Sequence, residues 1–203
     1  HTALRRQLGE TRAELCDHLG IYQIHSVTPD SPVLDDGAVI AALGELRATG
    51  VRVGLTTSGP DQADVIRRAL KVEANGTPLF STVQATWNLL ERSAGPALAE
   101  AHDAGLGVIG KEALANGRLA GSDDRADAAH LGGWPPDAVA LAAAASQPWA
   151  DVVLSGAATV DQLRSNLQAC QVMSDLDPDS VLAAVAPIES ERYWSERSQR
   201  PWT

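Results

Sequence analysis

The sequence predicts an α/β protein built as a parallel (β/α)8 TIM barrel, of which this chain supplies about five strands. Five short apolar segments alternate with longer segments whose apolar residues recur at helical spacing. The short segments are largely apolar, as strands are when a parallel sheet is covered on both faces. Each one ends in polar residues, which is typical of strands whose carboxyl ends face a cleft.

The predicted strands are therefore the five short apolar segments. In chain order they are Ile21–His25, Val51–Leu55, Ser81–Thr86, Leu106–Gly110 and Asp151–Leu154. An open, doubly wound sheet is the alternative architecture. The barrel is favoured because no Gly-x-Gly-x-x-Gly turn follows any of these strands.

The helices are predicted from apolar spacing and from end signals. Gly50 ends the second helix, because glycine favours a helix C-terminus, and Pro60 starts the third, where its missing N–H costs little. The predicted helices cover residues 4–19, a segment ending at about 48, 59–70, 93–104, 135–146, 159–173, 177–185 and 190–197. Residues 72–78 predict a loop or turn, and the polar, glycine-bearing segment 121–133 predicts a mobile loop.

Composition limits the class of protein. The chain has 203 residues, with 16 Lys and Arg against 26 Asp and Glu, and the net charge of −10 argues against a nucleic-acid surface. Cys16 and Cys170 lie far apart without metal-ligand spacing, which predicts reduced, buried thiols. No apolar run approaches a membrane span. We therefore expect a cytoplasmic protein without a membrane partner, and the sequence leaves its oligomeric state open.

The chain begins with His1 inside a helical pattern. We expect residues 1–203 to form a single domain that is incomplete at its N-terminus, because a closed barrel needs about three more strands.

Two strands carry a polar residue that suggests a site. His25, at the end of its strand, either orients a carbonyl oxygen as a neutral imidazole or is a core histidine bonded to a neighbour. Gln84 lies inside an otherwise apolar strand, and a buried amide needs partners. Those partners are either a carboxamide on a ligand or the adjacent backbone.

The segment Ser155–Thr159 joins the last strand to a helix and consists of small residues. Small side chains let a ligand approach the backbone, and the free N–H groups of a helix N-terminus suit a phosphate. Gln162 and Asn166 stand four residues apart and are expected on one face of that helix. A connection between a strand and a helix also contains such small residues without binding anything.

Lys111 and Glu112 close the fourth strand. A lysine desolvated at a strand end forms a Schiff base with a carbonyl substrate in some aldolases. The alternative is a solvated ion pair at the border of the cleft.

These segments together resemble the aldo-keto reductase family, from Leu4 to Leu167. The resemblance rests on four motifs in the family's order. They are Tyr22-Gln23-Ile24-His25, Val83–Arg92 with its Gln84 and Asn88-Leu89, Val108–Leu119, and Ser155-Gly156-Ala157 with Gln162-Leu163 and Asn166-Leu167.

The resemblance implies an eight-stranded barrel that binds extended NADP(H), with a tyrosine, assisted by lysine, aspartate and histidine, as proton donor. Only the histidine matches, as His25; the family's aspartate, tyrosine and lysine match no position here. No metal is implied. The implied cofactor-binding residues are Thr56, Thr57, Gln84, Lys111, Ala113, Leu114, Ser155, Gly156, Ala157, Gln162 and Asn166.

Three departures from the family pattern affect the cofactor site. Thr56-Thr57 replaces the family's serine-asparagine pair, and Lys111 replaces the tyrosine that commonly stacks on the nicotinamide. The adenosine segment also lacks the family's basic residues, having Gly156 and Gln162 in their place. The preference for NADPH over NADH therefore follows from the family rather than from charges in this sequence.

The predicted function is an NADPH-dependent oxidoreductase that reduces an aldehyde or ketone, a small-molecule carbonyl substrate, to an alcohol. The alternatives are a Schiff-base aldolase that uses Lys111 and a non-catalytic nucleotide-binding barrel.

Overall fold

The computed structural model describes residues 2–121 and 131–200. Its helices are α1 (Thr2–Leu15), α2 (Gly37–Arg47), α3 (Gln62–Ala69), α4 (Gly95–Asp103), α5 (Pro136–Ala145), α6 (Val160–Asn166), α7 (Ala169–Asp175), α8 (Pro178–Ala184) and α9 (Ser190–Ser198). Its strands are β1 (Ile21–Val27), β2 (Arg52–Thr57), β3 (Glu73–Ala74), β4 (Thr77–Pro78), β5 (Thr82–Thr86), β6 (Gly107–Lys111) and β7 (Val152–Val153).

Five strands form one parallel sheet in the order β1-β2-β5-β6-β7. Parallel neighbours need a crossover connection, and the intervening helices supply it. The prediction that the five apolar segments are adjacent, parallel strands is confirmed. The carboxyl ends of all five strands consequently lie along one edge of the sheet.

The two faces of the sheet differ in burial, since successive side chains point to opposite faces. The first face is fully buried under helices and carries Val53, Leu55, Val83, Ala85 and Val108, each 0% exposed. The second face, called the cleft face below, carries Gln23, Gln84, Ile109 and Lys111, all half-buried. Polar residues therefore concentrate on the face that the helices leave open.

The helices form a layer over the apolar face. α2 and α3 pack on β2, α4 packs on α3 and β6, and α5 packs on β7. α5 is buried nearly all round, because α7 and α8 cover its outer side. Asp36 begins α2 by accepting hydrogen bonds from Ala38 N (2.9 Å) and Val39 N (3.1 Å), which satisfies two N–H groups that a helix start leaves unpaired.

The structure corrects the predicted helix at 159–173, which divides into α6 and α7. The Gln168 N–H bonds to Ser165 O at 3.0 Å, so the last turn of α6 tightens and the helix stops. The predicted loop or turn at 72–78 contains a turn at Asn75-Gly76, flanked by the two short strands of the hairpin β3–β4. Its turn residues Asn75 and Gly76 have φ of 53° and 72°, the left-handed values that a two-residue hairpin turn requires.

Both cysteines, Cys16 and Cys170, are free but exposed, so the prediction that they are buried was wrong. Each lies on a helical surface that no other layer covers. Most of the predicted mobile loop at 121–133 lies outside the described residues. Within the described residues, no helix is long and apolar enough to cross a membrane.

Candidate active site

The predicted site residues converge on the carboxyl edge of the sheet. Thr56 pairs with Gln84 across β2 and β5, and Thr86 pairs with Lys111 across β5 and β6. Paired residues on neighbouring strands point to the same face. Thr56, Gln84 and Lys111 therefore share the cleft face.

His25 lies near the end of β1 and is exposed. By strand alternation it shares a face with Gln23, just before the register with β2 shifts between Ile24 and Val27. Its imidazole makes no hydrogen bond to another residue of the described chain. Within the described residues, His25 is therefore available to a molecule in the cleft, and no contact supports the interpretation of His25 as a core histidine.

Gln84 is half-buried between β2 and β6, and within the described residues its amide makes no hydrogen bond. Beside it, Thr56 Oγ1 accepts a hydrogen bond from Ser26 N at 2.7 Å, which leaves the threonine's own O–H free to donate. An amide in this position has both a donor and an acceptor to offer to a ligand.

The structure does not bring Thr57 to the cleft. Thr57 follows Thr56 by one residue, so its side chain points to the helix-covered face, where it is 0% exposed. Its hydroxyl oxygen has no hydrogen-bond partner among the described residues. Thr57 could not be told from Thr56 by sequence, because both are strand-end threonines.

Lys111 lies at the end of β6, where its Nζ donates to Ser58 Oγ at 2.7 Å. Burial lowers the pKa of Lys111, the nearby Arg197 lowers it further, and Glu112 opposes both. The ammonium is thus neither fully solvated nor paired in a simple ion pair with its neighbour in sequence. The solvated Lys111–Glu112 pair expected as one alternative does not form.

Glu112 is turned away from Lys111 and binds Arg197 of α9. Arg197 Nε donates to Glu112 Oε2 at 2.9 Å, and Arg197 Nη2 donates to Oε1. Glu112 has φ 57°, a left-handed backbone conformation that is uncommon for a residue with a side chain. This conformation redirects the chain after β6. The loop that follows is anchored by the Glu112–Arg197 pair and by Ala113, which is buried, and Leu114, which is half-buried.

Asn88 organises the neighbouring loop instead of facing a ligand. Its Nδ2 donates to Glu112 O (3.0 Å) and to Tyr193 Oη (3.1 Å), while Oδ1 accepts from Leu90 N and Glu91 N, both at 3.0 Å. Every hydrogen-bonding atom of the buried amide is thereby used. The ends of β5 and β6 are held together with α9.

The segment after β7 presents an open backbone. Gly156 is exposed, with φ 67° and open space where a Cβ would lie. Ser155 Oγ accepts from Ala157 N at 3.5 Å. A ligand could therefore approach the Gly156 backbone without meeting a side chain.

Gln162 and Asn166 have different surroundings. Gln162 Oε1 accepts from Ala158 N (2.8 Å) and Thr159 N (3.1 Å), so this side chain caps the start of α6. Asn166 is buried, and its amide, oriented to suit its neighbours, donates to Asp137 Oδ2 at 3.1 Å and Gln162 O at 3.2 Å. The two residues lie four apart on α6, as predicted, but their amides do not point jointly to a ligand, because each one binds its own neighbours.

Two further residues that shape the site were missed by sequence reasoning. Gln62, fully buried at the start of α3, donates from Nε2 to Thr86 O (2.9 Å) and accepts at Oε1 from Thr86 N (3.1 Å), which fixes the end of β5. Tyr193 of α9 is fully buried against the same edge. The only available signal for α9 was its Tyr-Trp pair, since buried aromatic residues on a polar helix indicate packing.

A parallel sheet covered by helices on its outer face, with polar side chains gathered at the strand ends, defines the class of α/β barrel proteins that carry their site at the carboxyl edge. The aldo/keto reductase family model matches residues 4–185. The chain belongs to the aldo/keto reductase family. None of the curated protein sequences compared matches it.

Solved structures share the fold. Aldo-keto reductase AKR11C1 from Bacillus halodurans matches in its apo form with a TM-score of 0.66 and 19% identity, over 95% of this chain and 67% of that one. Its holo form matches with a TM-score of 0.63 and 21% identity, over 93% of this chain and 64% of that one. The thermostable aldo-keto reductase Tm1743 in complex with the inhibitor epalrestat matches with a TM-score of 0.64 and 20% identity, over 88% of this chain and 65% of that one. The chain spans about two thirds of the length of these proteins.

Proposed function

We propose that this protein is an NADPH-dependent oxidoreductase that reduces aldehydes or ketones to alcohols. The observation that carries the proposal is the Gln84 amide, half-buried on the cleft face without a hydrogen-bond partner among the described residues. A primary carboxamide satisfies such an amide by donating to it and accepting from it. Membership of the aldo/keto reductase family supports the nicotinamide carboxamide as that group.

NADPH would supply a hydride to the carbonyl carbon. Gln84 and the Thr56 hydroxyl would hold its carboxamide, and Lys111 would border its ring. The exposed Gly156 backbone suits the phosphate end. The N–H groups of Ala158 and Thr159 do not suit it, because Gln162 already occupies them.

The proton for the nascent alkoxide does not come from a tyrosine of this chain. Of its two tyrosines, Tyr193 is buried and bonded to Asn88, and burial raises its pKa to about 12. Tyr22 pairs with Val53, so its side chain lies on the helix-covered face. Among the cleft residues, His25 would orient the carbonyl oxygen, and Lys111 at the end of β6, whose pKa is lowered by burial, would be the candidate proton donor.

A titration with NADPH tests the proposal. The chain has five tryptophans, so quenching of protein fluorescence reports binding. Gln84→Ala should weaken the affinity about fivefold, since the loss of one hydrogen bond costs about 1 kcal/mol. Gln171→Ala, at an exposed glutamine of α7, is the matched control and should change nothing. Equal affinity of the wild type and Gln84→Ala would refute the assignment of the carboxamide site.

Lys111 gives a second candidate function, a Schiff-base lyase, because burial lowers the pKa of its amine. The neutral amine would add to a substrate carbonyl, and the resulting carbinolamine would lose water to give an imine. Borohydride would reduce that imine to a stable secondary amine on Lys111, detectable by mass spectrometry. Trapping at Lys111 and not at the exposed Lys71 would favour the lyase over the reductase.

A non-catalytic nucleotide-binding barrel is the third possibility. It would bind NADPH with the same dependence on Gln84 but reduce no carbonyl compound. Steady-state oxidation of NADPH in the presence of aldehydes separates it from the reductase.

A further inference from the structure

A cavity of about 430 Å³ lies at the amino-terminal end of the sheet, opposite the edge that carries Gln84 and Lys111. It is bordered by the end of α2, the starts of β2 and β5, and the hairpin β3–β4, and it is open to solvent, so that Arg47, Arg52, Asn75 and Thr77 are exposed. Its polar lining includes Arg47, Arg52, Asn75 and Thr77, and none of its lining residues is acidic. A volume of this size suits a small molecule.

The two arginines differ from the other arginines of the described chain. Most other arginines make an ion pair or a side-chain hydrogen bond: Arg67 binds Glu100, Arg68 binds Asp35, Arg197 binds Glu112, and Arg92 binds backbone carbonyl groups. Arg47 and Arg52 make no ion pair and no side-chain hydrogen bond within the described residues. In a chain with 26 acidic residues, partners for them are abundant, so two unpaired arginines on one cavity point to an external anion.

Arg52 is the more informative of the two. Arg47 lies in the last turn of α2, where a cation also stabilises the helix dipole, so its position has a structural explanation. Arg52 begins β2 and has no such explanation. The left-handed turn at Gly50, with φ 92°, brings the chain from α2 directly into β2 and so places both arginines at the cavity.

The neutral side of the cavity is preformed. The hairpin turn at Asn75-Gly76 holds the Asn75 amide and the Thr77 hydroxyl at the lining, and neither makes a hydrogen bond within the described residues. A Cβ at Gly44 would lie 2.8 Å from Ala74 Cβ, so the hairpin packs directly on α2. The wall is therefore fixed by packing, and binding does not have to order it.

We propose that this cavity binds a phosphate group, with Arg52 and Arg47 as its charged donors and Asn75 and Thr77 as neutral donors. Planar guanidinium groups bind phosphate oxygens with two parallel hydrogen bonds, and the two neutral groups complete the coordination. The group belongs either to free phosphate or to a phosphate monoester. The site is separate from the proposed reductase cleft and does not depend on it.

Calorimetric titration of the whole chain at low ionic strength tests the site, because salt screens exposed charges. Inorganic phosphate and phenyl phosphate are the two probes, and tighter binding of the ester would identify a monoester ligand. We expect saturable binding of one equivalent. Arg52→Gln should raise Kd at least tenfold, and Thr77→Val should raise it less.

Arg164→Gln is the matched control, since Arg164 is exposed on α6 and pairs with Asp161. It should leave Kd unchanged within about twofold, because Arg164 does not line the cavity and its charge is exposed and already paired. The absence of saturable binding, or equal weakening by Arg52→Gln and Arg164→Gln, would overturn the proposal. The affinity of Arg52→Gln for NADPH should equal that of the wild type. A wrong phosphate-site proposal can therefore be told apart from a wrong reductase assignment.

Discussion

Arg197 Nε donates to Glu112 Oε2 at 2.9 Å and thereby joins the last described helix to the end of strand β6. The two side chains are only 20% and 17% exposed. Arg197 also stacks on Trp194, with its guanidinium carbon 5.2 Å from the ring centroid. The loop beside Lys111 is consequently held by a residue 85 positions further along the chain.

Breaking this pair should destabilise the fold. Arg197→Ala leaves the Glu112 carboxylate half-buried and unpaired, which we expect to cost about 2 kcal/mol of unfolding free energy, below the cost for a fully buried pair. Urea denaturation measures this loss of unfolding free energy, and a double-mutant cycle with Glu112→Gln gives the interaction energy of the Arg197–Glu112 pair alone. Arg164→Ala, which removes an exposed pair, should cost under about 0.5 kcal/mol. Equal costs for Arg197→Ala and Arg164→Ala would contradict the structural role of the pair.

Alkaline pH should destabilise the protein through Tyr193. Burial raises its pKa from 10.0 to about 12, so the folded state retains its proton where the unfolded state has lost it. The stability contributed by the neutral phenol is complete below pH 10 and is lost as the pH rises towards 12. Tyr193→Phe should lower the unfolding free energy at pH 7 by about 1 kcal/mol, because it removes the hydrogen bond with Asn88. Above pH 10, the unfolding free energy of this variant should fall less steeply than that of the wild type. Identical alkaline unfolding curves would be inconsistent with this assignment.

Lys111 should react with amine reagents at lower pH than an exposed lysine. Burial lowers the pKa of its ammonium group, so the reactive neutral amine is populated earlier in a pH titration. The chain provides an internal control in Lys71, which is exposed. Mass spectrometry after brief acylation across pH 7 to 11 gives a labelling midpoint for each site. A midpoint at Lys111 equal to or above that at Lys71 would show that the amine is fully solvated.

Gln162→Ala separates two roles for the loop after β7. The capping contacts to Ala158 and Thr159 predict a loss of about 1 kcal/mol in unfolding free energy. The family resemblance predicts instead that NADPH binding weakens by about the same amount. Thr159→Ala removes the other half of the capping box and is the matched control. If Gln162→Ala weakens NADPH binding while Thr159→Ala does not, Gln162 binds the cofactor directly.

If the protein is the proposed reductase, His25→Ala should lower the rate of aldehyde reduction about 10²-fold, as expected for a group that assists proton transfer. His25 is exposed, so the substitution should leave the melting temperature unchanged. His18→Ala, at an exposed histidine after α1, should alter neither quantity. An unchanged rate for His25→Ala would remove His25 from the site.

The sequence by itself determined the parallel strands and which of them carry polar ends. Strand identity follows from local apolar runs and end signals, both of which are short-range properties. Parallel order then brings all carboxyl ends to one edge, so Gln84, Lys111 and Gly156 could be assigned to one edge of the sheet before any coordinates.

The tertiary structure decided which neighbours those side chains have. Strand alternation puts Thr56 and Thr57 on opposite faces, but two identical residues in sequence do not show which of them faces the helices. The structure shows that it is Thr57. Glu112 binds Arg197, and Asn88 binds Tyr193, across separations of 85 and 105 residues. Contacts between residues so far apart in sequence depend on where α9 packs. In the same way, Arg52 has no acidic partner within the described residues, because the fold places none of their acidic side chains within reach of it.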